Sequence, residues 1–218
     1  MQMSPAVPAV LVAVAVLADL VLIAARLNRF RFITKPAIVP ALVFLLFALR
    51  SDPPELAVIV LALGWIGDMA LLAKGRTAFL VGLSAFLAGH MVLVAAILQE
   101  LPAPVTPGAA AASIALMLVP GIAIFRLLRP WEHRLAIPIA AYFVAIGLMG
   151  VSALLTIGRL PAVRSALFLA GALAFMGSDT ILAYRRFRRR FRGDELLVMG
   201  LYVAAQTCIV LGFSISSG

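Results

Sequence analysis

The stretch RLNRFRFITKPAIVPALVFLLFALR (26–50) decides how many times this chain crosses a membrane. Its apolar part, 36–49, is shorter than the roughly 20 residues of a typical spanning helix, so length leaves the question open. Charge answers it. If 36–49 spans, the apolar runs number eight: 5–25, 36–49, 55–73, 77–99, 108–128, 134–157, 161–184 and 195–214. The first, third, fifth and seventh connections then share one side. They hold Arg26, Arg29, Arg31, Lys35, Lys74, Arg76, Arg126, Arg129, Arg134 and the six arginines of 185–192, which is 15 of the 18 Lys and Arg residues. Only Arg50, Arg159 and Arg164 fall on the other side. Without that span the same residues divide 7 to 11. Because basic residues collect on the cytoplasmic side, the pattern predicts an all-α, polytopic membrane protein with eight transmembrane helices. Its basic side faces the cytoplasm and both termini face outward.

Composition agrees. Of 218 residues 64% are hydrophobic and 12% charged, and the mean hydropathy is +1.14. A soluble domain of this length has no way to hide so much apolar surface. Every gap between apolar runs is short, so the expectation is one membrane domain over 1–218. The first run lacks a positively charged lead and reads as a retained span, not a cleaved signal. The net charge of +9 sits beside helix ends, where topology signals and anionic-lipid contacts lie; it does not call for nucleic acid. The run RRFRRRFR (185–192) is read in the same way, as a stop signal. Cys208 is the sole cysteine, which rules out an intramolecular disulfide and a thiolate metal cluster.

Two carboxylates stand alone inside apolar runs, Asp68 in LGWIGDMALLA (63–73) and Asp179 in LAFMGSDTILA (173–183). An acid in the hydrocarbon region costs about 2.5–3.5 kcal/mol on insertion scales, which makes each a functional candidate. Each is followed six residues later by a base, Lys74 and Arg185, and each falls about 9 Å inside the basic end at 1.5 Å per residue. A shared site is expected. His90 lies near mid-membrane, Tyr142, Tyr202 and Gln206 in the basic-side half, and Tyr142 follows Pro138 by one turn. The polar groups thus converge on one leaflet and leave the outer half apolar. Asp68 to His90 spans 22 residues and Asp179 to Tyr202 spans 23, a faint parallel repeat.

Paired carboxylates suit acid–base chemistry, although helix-bonding roles and a proton-coupled transporter are open to the same residues. A lipid-binding scaffold has less need of two buried acids. No second His stands at i+3 or i+4 from His90, which speaks against zinc or di-iron. His133 reads as a surface residue. Asp19 is set aside as a partner for a loop arginine. Ala78, Gly82, Ala85 and Gly89 form a small-residue stripe for close helix packing.

Lys35-Pro36, GD at 67–68, FLVGLSAFLAGH (79–90), Pro138 to Tyr142, GALAFMGSD (171–179) and YVAAQ (202–206) together resemble the YhhN-type lysoplasmalogenase family of membrane proteins. The resemblance covers about 35 to 210, nearly the whole chain. Two departures are mild: Met176-Gly177 before the Ser-Asp pair, and an unusually dense basic loop after it. The resemblance implies eight transmembrane helices and hydrolysis of the vinyl ether bond of lysoplasmalogens to a fatty aldehyde and a glycerophospho-ethanolamine or -choline. It implies a lysophospholipid substrate, a setting of membrane lipids in a bacterial cell membrane, and neither metal nor organic cofactor. Asp68 and Asp179 become the catalytic positions on this view. Lys35 and Ser178 join His90, Tyr142, Tyr202 and Gln206 as substrate-binding or supporting residues.

Overall fold

The computed structural model describes residues 4–128 and 136–215. Helices α1 (Ala6–Ala24), α2 (Arg31–Leu49), α3 (Glu55–Leu72), α4 (Arg76–Gln99), α5 (Pro107–Leu128), α6 (Ala136–Leu154), α7 (Ala162–Phe187) and α8 (Asp194–Ser214) follow one another. All eight are long and apolar enough to cross a membrane, and no strand occurs among the described residues. Only helices and closed barrels satisfy every backbone group in hydrocarbon, which is why continuous apolar runs fold this way. The protein is an integral membrane protein. Arg129, His133 and Arg134 lie outside the described residues.

The second span is longer than its apolar run, for it begins at Arg31 and carries Pro36 and Pro40 inside. Proline lacks the N–H that would bond the carbonyl four residues back, so Pro40 orphans the carbonyl of Pro36. The indole Nε1 of Trp65 on α3 donates to that oxygen at 2.9 Å, and the helix runs on. The sixth span is shorter than expected, ending at Leu154, and a tight turn with Gly158 at φ +73° leads toward α7. Helix α7 continues to Phe187, one turn past the expected boundary.

Two antiparallel pairs, α3 with α4 and α7 with α8, pack most closely. Small residues permit this. A Cβ on Gly82 would stand 2.9 Å from the Leu71 side chain and 3.3 Å from the Gly67 carbonyl, and one on Gly171 would stand 3.2 Å from the Ala205 carbonyl. Helix α5 is peripheral, held mainly by α6, and presents Val119 and Leu116 outward, as suits a lipid-facing helix. Between the pairs the centre is closely packed: Leu42, Leu46, Leu93, Met149, Phe168 and Phe213 are fully enclosed.

Both bundle ends carry buried charge, which the outer half was not expected to hold. At the end away from the basic loops, Arg164 is sealed from solvent, donates to the Gly212 carbonyl at 2.9 Å and pairs with Glu100 at 2.5 Å. Arg50 donates to the Phe213 carbonyl at 2.9 Å. Cations thus meet the orphan carbonyls and negative dipole end of α8. At the basic end Asp19, also sealed, accepts from Arg31 at 2.8 and 3.0 Å and from Thr34 at 2.7 Å. Arg31 reaches on to Glu195 at 2.6 Å. The expected pairing of Asp19 with a loop arginine is met by Arg31, and the resulting network ties α1, α2 and α8 together.

Candidate active site

The α7–α8 connection sets one wall of the site. Gly193 takes the left-handed backbone (φ +83°) that lets the chain reverse. Asp194 and Glu195 open α8 where its positive dipole end favours acids, and Arg185 near the end of α7 lies 3.6 Å from both carboxylates. Arg185 is therefore engaged with α8 and not with Asp179, the acid six residues before it. Lys74 is exposed.

The base on Asp68 comes from another helix. Lys35 of α2 brings its Nζ to 2.9 Å from Asp68 Oδ1. Tyr202 of α8 donates its phenol to Oδ2 at 2.5 Å, and Gln206, one turn further along α8, donates Nε2 to the Tyr202 oxygen at 3.0 Å. A side chain at position 64 would spoil this, because a Cβ there would lie 2.9 Å from Gln206 Nε2. Gly64, one turn before Asp68 on the same face, is the space in which the Tyr202–Gln206 pair sits.

Asp179 has different company. Tyr142 of α6 donates to its Oδ2 at 2.8 Å, and His90 Nε2 stands 3.8 Å from that oxygen, beyond a hydrogen bond. Among the described residues no Lys or Arg lies within ion-pair distance of Asp179. Among the described residues no well-aligned hydrogen bond reaches either buried ring nitrogen of His90, with the Phe86 backbone close by, or Gln206 Oε1. The ring of His90 meets Tyr142 and Phe175 edge-on at 5.5 and 5.2 Å, and Phe175 meets Tyr202 at 5.7 Å. These aromatic contacts link the two acids' surroundings.

The repeat seen in the chain is crossed in space. Asp68 meets Tyr202 of the other unit, and Asp179 has His90 of the first at 3.8 Å. The acids also differ in depth along their helices, four residues from the end of α3 and eight from the end of α7, or about 6 and 12 Å at 1.5 Å per residue.

Both nevertheless open on one cavity of about 890 Å³ at the basic end, lined also by Lys35, Ser178 and Tyr202. Its rim carries Arg29, Lys74, Arg185, Arg186 and Arg190. Of the expected residues, Asp68, Asp179, Lys35, Ser178 and Tyr202 share this basin. Tyr142 reaches it through Asp179, while His90 and Gln206 lie one layer deeper. Ser178 spends its hydroxyl on the Val198 carbonyl at 3.0 Å, a bond between α7 and α8. Pro138 falls in the first described turn of α6. Gly64 and the ring of Phe175, which lies between His90 and Tyr202, are not among the residues expected from the sequence. A glycine one turn from a buried acid was the available signal for Gly64, but a phenylalanine among apolar residues offers none.

No group of three or more His, Cys, Asp or Glu side chains is placed to hold a metal ion among the described residues. The arrangement can instead hold a proton and a negative charge close together in an apolar, basic-rimmed pocket.

Fold and site define a class: a polytopic helical membrane protein with two intramembrane carboxylates at the floor of a basic basin. Residues 30–213 match the YhhN family, and the chain belongs to it. Proteins of Mycobacterium bovis (strain ATCC BAA-935 / AF2122/97) and Mycobacterium tuberculosis (strain CDC 1551 / Oshkosh), each named lysoplasmalogenase, are 32% identical to it over 161 residues, which is 70% of this chain. The match spans 58% of the length of those relatives. No solved structure matches the chain.

Proposed function

We propose that the protein hydrolyses the vinyl ether bond of lysoplasmalogens, giving a fatty aldehyde and a glycerophospho-ethanolamine or -choline. The observation that carries this reading is the unequal pairing of two acids on one cavity: Asp68 has an ammonium at 2.9 Å, and Asp179 has a phenol and, among the described residues, no Lys or Arg at ion-pair distance. A vinyl ether breaks when a proton reaches the carbon distal to oxygen. The resulting oxocarbenium ion takes up water, and the hemiacetal collapses to aldehyde and alcohol. One water is consumed and no net proton.

In this reading Asp179 delivers the proton to carbon and then, as carboxylate, accepts one from the attacking water. Asp68, held by Lys35 and Tyr202, supplies the fixed negative charge that stabilises the cation. Lys35 and Tyr202 position it, Gln206 braces Tyr202, and Tyr142 fixes the oxygen of Asp179 that does not carry the proton. The rim of arginines suits a phosphate head group. The family and the names of the mycobacterial relatives support the same substrate class.

The membrane is that of a bacterial cell, with the basin open to the cytoplasm, in keeping with the charge bias. A transporter needs a second opening, whereas beyond His90 and Gln206 fully buried Leu93, Phe168, Ala172 and Ile209 fill the core, and the polar Arg164 at the far end is itself sealed and paired with Glu100. The test is aldehyde release by purified protein in detergent from an alkenyl lysophospholipid. Release should occur from the alkenyl lipid and not from its saturated alkyl ether; no aldehyde from any alkenyl lysolipid would overturn the proposal.

A further inference from the structure

A second cavity meets the basin at Asp179. It is a crevice between α4, α6 and α7, walled by Leu83, Phe86, Ile139, Phe143, Leu182 and Ala183, with Asp179 and Tyr142 contributing polar groups. We infer that this crevice seats the hydrocarbon chain of a single-chain ether lipid whose phosphate lies in the basin. The inference rests on the ether-lipid reading above and adds the direction in which the substrate lies.

Continuity and chemistry carry it. Asp179, Phe79, Phe86, Leu71, Leu182 and Arg186 line both cavities, so a molecule occupying both passes Asp179 where its apolar part joins its polar part. In an alkenyl lysolipid that junction is the vinyl ether. Beyond the shared Arg186 and Asp179 and the phenol of Tyr142, the crevice walls are apolar on all three helices, whereas the basin carries several cations. A phosphate thus has most of its favourable partners in the basin, and a chain has its apolar walls in the crevice. The reverse orientation would bury phosphate among Leu83, Phe143 and Ile139.

As found, the crevice holds about 40 Å³ of open space, well short of the roughly 150 Å³ of an apolar cavity that takes up benzene. A chain enters only if the walls part. Helices α4 and α7 each pack on α6 and make little contact with one another. The described bridge between them at the basic end is the ring of Phe79 against that of Phe187, edge-on at 6.2 Å, with Arg186 over Phe79 at 4.9 Å. Side chains on two separately anchored helices can swing apart without unpacking either helix. Phe79 and Phe187 are thus the clasp at the mouth of the chain site.

Two measurements test this. First, wild-type protein is photolysed with a saturated-ether lysophosphatidylethanolamine bearing a diazirine at its chain terminus, a lipid that is not cleaved. Labelling should fall on the α4, α6 and α7 peptides around Leu83, Phe143 and Ala183, and Ala183→Phe should abolish it. Label confined to other helices overturns the inference whether or not the protein is a hydrolase. Second, Leu83→Trp and Ala183→Phe are assayed on long-chain and short-chain alkenyl lysolipids. Excluding a methylene from an apolar pocket costs about tenfold or more, so kcat/KM should fall by at least that for the long chain and change little for the short one. Equal effects on both chains, or none, with wild-type aldehyde release intact, reject the chain site and leave the hydrolase reading standing.

Discussion

Lys35 and Asp68, an ammonium 2.9 Å from a carboxylate, are the ion pair on which the proposed chemistry leans. Removing one partner of a buried ion pair typically costs about 3–5 kcal/mol, so Lys35→Met should lower the unfolding temperature. It should also lower kcat by about 10²-fold, the usual order for a lost electrostatic contact to a developing charge, while Lys35→Arg restores most of it. A Lys35 that only held the head group would show instead as a raised KM with kcat unchanged. That both acids would line one cavity was legible, since a charge in hydrocarbon must find partners. Which base served which acid was not. Lys74 and Arg185 stand at matched sequence distances, yet Lys74 is exposed and Arg185 faces Asp194 and Glu195. Pairing is settled by which helices lie side by side, and spacing along one helix carries no such information.

At the scale of the helix, α2 shows how a span persists through two prolines. The Pro36 carbonyl, deprived of its helical donor by Pro40, accepts from Trp65. Interhelical bonds in membranes average about 0.6 kcal/mol and reach about 1.7, so Trp65→Phe should lower the unfolding temperature slightly and spare activity. In Pro40→Ala the restored N–H bonds Pro36, and there Trp65→Phe should be nearly neutral. Equal destabilisation in both backgrounds, measured by thermal unfolding in detergent, would show that Trp65 acts through packing alone. The span count followed from charge, but the α2 start at Arg31 did not, because a proline inside a membrane helix looks the same in sequence as a proline at its edge. The end of α6 was missed for the converse reason. Residues 155–157 are as apolar as the helix before them, and it is the turn around Gly158 that stops it.

Across the whole molecule, charge and polarity are arranged along the membrane normal. The basin and its cationic rim occupy one end; a paired Arg164–Glu100 contact and two arginine-capped carbonyls close the other. Under the positive-inside rule a cysteine replacing Arg189 should resist an impermeant maleimide in intact cells and react after lysis; labelling in intact cells would invert the orientation. The central claim, that two unlike carboxylates on one cavity hydrolyse a vinyl ether, is tested most directly by aldehyde release from Asp68→Asn and Asp179→Asn beside wild type, with unfolding temperature recorded for each. An amide neither gives up an acid proton nor carries the charge, so each variant, still folded, should lose at least about 10²-fold in rate. Near wild-type aldehyde release from either folded variant would contradict the account.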